Sequence, residues 1–170
     1  LKYRFLRPVA VLTHLLDYRH WPESPWLMHL HSMLWAAACI LALGLLYRRL
    51  LSSVLLAGLA LLLYAVDDSH AVPIASICNR NSLIGLFFGI LVLYGHDRWR
   101  REGAIVGAIG ACGALVVGLL ANEGTIAVGG YLLGYALFVD KARAAKGFLA
   151  ILPYGVIVLV WHRIYGQLGY

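Results

Sequence analysis

The chain has 170 residues, of which 62% are hydrophobic and 13% charged, with a mean hydropathy of +0.80. A soluble domain is about 45–50% apolar and about 25% charged, so these proportions exclude a water-facing globule and make a bilayer the natural solvent. The net charge of +6 is read as basic cytoplasmic loops meeting anionic lipid, and no nucleic-acid partner is expected.

Residues 1–25 come first and are too polar to span. They carry Lys2, Arg4, Arg7 and Arg19. Pro8 suits the first turn of a helix. From there His14, Asp17 and Tyr18 share one face, with Leu12, Leu15 and Leu16 on others. This segment is expected as an interfacial helix on the outer membrane surface. The chain opens on Leu1 with no recognisable signal peptide, and it is expected to be a piece of a longer protein.

A transmembrane helical domain is expected over 26–161, in an all-α bundle of about six spans. A bilayer-crossing helix needs about 20 mostly apolar residues. The predicted spans are 26–47, 50–66, 73–94, 103–121, 125–139 and 147–161. The breaks between them alternate in charge. The first, third and fifth carry Arg48, Arg49, Arg98, Arg100, Arg101, Lys141, Arg143 and Lys146. The second and fourth carry Asp67, Asp68 and Glu123 without a basic residue other than His70. The positive-inside rule then puts the first set in the cytoplasm. Both ends of the segment fall outside, and residues 162–170 begin another outer loop. Trp21, Trp26, Trp99 and Trp161 lie near predicted span ends, as an aromatic belt requires. Cys39, Cys78 and Cys112 are too scattered for a disulfide framework and are read as small core residues.

Two polar sites resist placement in water. If Cys78-Asn79-Arg80-Asn81 lay outside, the apolar run after it would end at Tyr94 after 13 residues, too short to cross. Arg80 is therefore expected inside the bundle, in the outer half. There a charge faces a partner or a water-filled cavity. Spans four and five leave little length for their break, so Glu123 is expected at the outer boundary. Arg80 and Glu123 are expected to line one outward-opening cavity, with Arg7 or His70 at its rim. The alternative is an Arg80–Glu123 pair that only fixes helix packing. His29 and His31 point to different sides of a helix and make no metal site. Asp67 and Asp68 read as loop carboxylates or caps.

Four stretches resemble the GT-C class of membrane glycosyltransferases, bacterial members and the transmembrane-and-TPR O-mannosyltransferases in particular. Arg7-Pro8 leads through Leu16-Asp17-Tyr18 to Trp26-Leu27-Met28-His29-Leu30-His31. Residues 67–80 with Asn81-Ser82-Leu83 resemble the outer loop entering an arginine-bearing helix. Leu120-Ala121-Asn122-Glu123-Gly124 resembles a hairpin tip, with Asn122 where the family has Lys. Residues 162–170 resemble the next outer loop. The resemblance implies transfer of a sugar, mannose foremost, from a polyprenyl-phosphate donor to a protein or glycan acceptor. The chemistry would lie on the periplasmic face of a bacterial inner membrane. Arg80, Arg7, His70 and Glu123 would serve the donor phosphate or the cavity. The family's catalytic acid would precede Leu1. Some such enzymes use a divalent metal, but no ligand set for one stands out. The rival functions are a lipid or solute transporter and a non-catalytic membrane subunit.

Overall fold

A computed structural model describes residues 5–140 and 144–169, and its regular structure is entirely helical. Helix α1 is Pro8–His20 and α2 is Pro25–Leu50. Each begins on a proline, whose missing N–H costs nothing in a first turn. After a two-residue bend, Ser53 accepts a hydrogen bond from the Leu56 N–H at 3.4 Å and opens α3, Val54–Ala65. Asp67 accepts from the Ser69 N–H at 2.8 Å and starts a 3₁₀ turn into α4, Ala71–Ala75. A second 3₁₀ turn, Ile77–Asn79, delivers the chain to α5, Arg80–Glu102. Gly103, at φ +71°, ends α5 in the left-handed region that glycine tolerates best.

Helix α6 is Ile105–Ala121. The 3₁₀ turn Glu123–Ala127, helix α7, Val128–Gly134, and the π-helical turn Tyr135–Val139 follow without a break. Helix α8, Ala144–Gln167, closes the described chain. Helix α5 is the central element and packs most closely on α6. A Cβ on Gly95 would lie 2.7 Å from the Gly107 carbonyl oxygen, and one on Gly107 would lie 2.6 Å from that of Gly95. Only glycine at both positions allows this approach. The core around the contact is Val92, Ala111, Leu115, Leu119, Leu132 and Tyr154.

Three described helical stretches are long and apolar enough to cross a membrane: Pro25–Leu50, Ile77–Glu102 and Lys146–Gln167. The pair Val54–Ala65 and Asp68–Ala75, bent by 49°, makes a fourth if taken as one span. The predicted fourth and fifth spans are the shorter apolar stretches Ile105–Ala121 and Glu123–Val139. The predicted end of the third span at Tyr94 is corrected. The helix runs on through His96 and Asp97 to Glu102.

That extension has a physical reason. Asp97 is fully buried. It accepts hydrogen bonds from Arg49 Nε at 2.8 Å and the Tyr135 hydroxyl at 2.8 Å, and pairs with Arg101 Nε at 2.7 Å. Its charge is neutralised where the sequence showed only a polar break. Helix α5 thus runs 23 residues from Arg80, the last of them charged, and Arg80 is buried as expected. Both α1, through Asp17, and α2, through Ser32 and Met28, enclose it. The expectation of three core cysteines is also corrected, since Cys78 is exposed. Its thiol lies 2.9 Å from the Ser76 hydroxyl.

Candidate functional site

Two arginine sites sit at the end of the bundle where α1 crosses α5 and α6. The inner one is sealed. Arg80 has no exposed surface. Its Nε donates to Ser32 Oγ at 3.0 Å, one Nη to Asp17 Oδ2 at 2.5 Å, and the other to the Met28 carbonyl at 2.6 Å. The second Asp17 oxygen lies 2.6 Å from His31 Nδ1. Trp35 Nε1 donates to His31 Nε2 at 3.2 Å. An imidazole nitrogen that accepts is unprotonated, so Nδ1 carries the proton to Asp17. The 3.2 Å approach of Arg80 to His31 Nδ1 is then a contact between two donors. Helix α1 can deliver Asp17 because Ala10, Thr13 and Asp17 form its buried face.

The alternative of an Arg80–Glu123 pair is thus corrected: Arg80 pairs with Asp17. The sequence offered Asp17 as a candidate carboxylate, but not the choice between it and Glu123. Asp17 is the one carboxylate in an otherwise apolar and basic helix, and a buried arginine requires a carboxylate or equivalent acceptors.

The outer site is open. Arg7 Nε donates to Glu123 Oε2 at 2.9 Å, and its Nη2 bonds Glu123 Oε1 in a two-pronged pair. The two side chains are 24% and 34% exposed. The guanidinium carbon lies 4.2 Å from the centroid of the Phe5 ring. The pair is thus two-pronged and partly exposed.

Asn81 links this pair to its surroundings. With its amide oriented to satisfy both ends, it donates to the Cys78 carbonyl at 3.0 Å and accepts from Arg7 Nη1 and from Asn122 Nδ2, each at 2.9 Å. Asn122 Nδ2 also lies 3.2 Å from Ser82 Oγ, and Asn122 Oδ1 accepts from the Gly124 N–H at 2.7 Å. This last bond makes the tight turn that turns Glu123 toward Arg7.

Ser82, Asn122, Gly124 and Thr125 form the polar end of a groove of about 610 Å³. The rest of the lining is aliphatic and aromatic, and includes Leu46 and Tyr47 of α2, Gly89 and Leu93 of α5, and Tyr131 of α7. The volume lies within the range of about 300–1,000 Å³ typical of small-molecule pockets. The expectation that Arg80 and Glu123 line one cavity is corrected, since neither side chain lines this groove. Arg7 stands beside its polar end, bonded through Asn81. His70 does not join the cluster. Its ring lies 4.3 Å from that of Tyr64, against a separate space of about 30 Å³ with Cys39. Among the described residues no group of three or more His, Cys, Asp or Glu could hold a metal ion.

The apolar helices and their length are those of an integral membrane protein, and the site is a polar cluster at the mouth of an apolar groove. No protein-family model, curated protein or solved structure matches the chain.

Proposed function

We propose that the chain is part of a GT-C-type membrane glycosyltransferase. It would use a polyprenyl-phosphate sugar, mannose foremost, to modify a protein or glycan acceptor on the non-cytoplasmic face. One observation carries the reading. A largely apolar groove carries Ser82, Asn122 and Thr125 in its lining, and the partly exposed Arg7 guanidinium is bonded to Asn122 through Asn81. That is the complement of a prenyl chain with a phosphate head. Arg suits phosphate through its planar fork of donors.

In this reading all six predicted segments cross or enter the bilayer, with the α5–α6 turn inside. Helix α1 lies along the outer surface, its exposed Val11, Leu12 and Leu15 turned to lipid. Arg48 is exposed at the inner end of α2. A cysteine at that position is expected to resist membrane-impermeant maleimide added to intact cells. Ready labelling there would invert the topology.

The functional test uses Gly89. A Cβ there meets nothing within 4 Å, and Gly89 lines the groove, so Gly89→Phe is the substitution chosen to fill it. In the complete protein, transfer from polyprenyl-phosphate mannose is expected to fall by about tenfold or more, with the thermal midpoint unchanged. Full activity in a folded Gly89→Phe protein would refute the groove as the donor site. A non-catalytic membrane subunit is the second reading, favoured by the sealing of Arg80 behind Asp17. It predicts prenyl-lipid binding without sugar transfer.

A further inference from the structure

We infer that Glu123 is an exchangeable counter-anion: it fills the donor fork of Arg7 until the phosphate of an anionic prenyl lipid displaces it. The inference rests on reading the groove as a prenyl-chain site, and adds to it a charge-selective gate at the groove mouth.

The two outer arginines differ in what they can offer a ligand. Every nitrogen of Arg80 donates to a buried protein group or touches one, and the side chain has no exposed surface. Arg7 is partly exposed, and the carboxylate it holds is more exposed still. A carboxylate and a phosphate present the same edge of two oxygens to a guanidinium. The Glu123 carboxylate therefore holds Arg7 in the geometry that a phosphate would use. On displacement it can move to water at little cost, because it is already a third exposed.

Position supports the exchange. Asn122 and Gly124, on either side of Glu123, both line the groove. A lipid chain in the groove brings its head to within one residue of the pair. Arg7 Nη1 remains bonded to Asn81, and the Phe5 ring lies against the guanidinium, so Arg7 stays in place while its anion changes. The buried Asp17–Arg80 tie keeps α1 docked meanwhile. Glu123 should then weaken binding of anionic prenyl lipids and leave neutral ones unaffected.

The test measures binding of geranylgeranyl phosphate, geranylgeraniol and inorganic phosphate to the full chain in nanodiscs of phosphatidylcholine at neutral pH. Glu123→Gln keeps the side-chain length and one bond to Arg7 but removes the charge, and Glu123→Ala serves as a second variant should the first alter folding. Removing the anion is expected to tighten geranylgeranyl phosphate by about tenfold and leave geranylgeraniol unchanged. Arg7→Ala is expected to bind the phosphate and the alcohol alike. Inorganic phosphate is expected to bind far more weakly than geranylgeranyl phosphate, and equal affinity would overturn the proposal. If wild type binds the lipids but neither Glu123 variant favours the phosphate, the inference falls and the groove reading stands. If no variant binds either lipid, both fall.

Discussion

Arg80→Ala is expected to cost about 3–5 kcal/mol of folding stability, because it leaves Asp17 as an unpaired charge in a buried site. Asp17 is fully buried and bonded to Arg80 and His31. Removing the guanidinium also takes one donor each from Ser32 Oγ and the Met28 carbonyl, which keep their bond to each other at 3.4 Å. Asp17→Ala should cost a similar amount, since it strands the guanidinium instead. The pair Asp17→Leu and Arg80→Met should recover most of the loss, because apolar groups of similar volume need no partner. Arg80→Lys should rescue only in part. A lysine keeps the charge but cannot reach Ser32, Asp17 and the Met28 carbonyl in three directions at once. Denaturant unfolding in detergent, followed by tryptophan fluorescence, measures all five proteins. If Arg80→Ala unfolds at the wild-type midpoint, the ion pair is not what docks α1. The contrast with the outer site is one of exposure: Arg80 is sealed, whereas Arg7 and Glu123 are both partly exposed.

The second large effect is expected at the opposite end of α5. Asp97→Ala should cost about 1.5–3 kcal/mol, the range for hydrogen bonds to charged groups. Asp97 holds together three elements: Arg49 from the end of α2, Arg101 from its own helix, and Tyr135 from the π-helical turn. Arg49 and Arg101 are partly exposed, so both can turn to water when the carboxylate goes. Arg49 also keeps a bond to Glu102 at 2.6 Å. That escape makes the cost smaller than at Arg80. Removing both arginines should be worse than removing Asp97, because the fully buried carboxylate has no such escape. Arg101 further donates to the Arg49 carbonyl at 3.2 Å, which satisfies an open acceptor at the end of α2. Thermal unfolding of Asp97→Ala beside the Arg49→Ala, Arg101→Ala double variant tests the order. Equal midpoints for both and for wild type would show the network to be incidental.

Much of the helix pattern was legible in the residues alone, because hydropathy and chain breakers act locally. The apolar run from Trp26 and the basic pair Arg48-Arg49 bound α2 almost where the structure has it. Pro8 marked the start of α1, and Asn122-Glu123-Gly124 marked the turn after α6. The presence of polar groups near the membrane boundary was legible too: Arg80 and Glu123 were singled out by span length, and Arg7 by the resemblance and its place at the rim. The choice of partner was not. Arg80 meets Asp17 across 63 positions, and Arg7 meets Glu123 across 116. Either arginine could take either carboxylate by charge alone. The choice depends on how α1 folds back over α5 and α6. That docking follows from the shape of the Ala10, Thr13 and Asp17 face rather than from any local signal. The groove likewise exists only where residues of α2, α5 and α7 come together. Hydropathy ranks residues by their solvent and says nothing of the gaps between helices, so the sequence determined which side chains belong in the bilayer. Tertiary packing alone decided which arginine was sealed and which was left open beside a cavity.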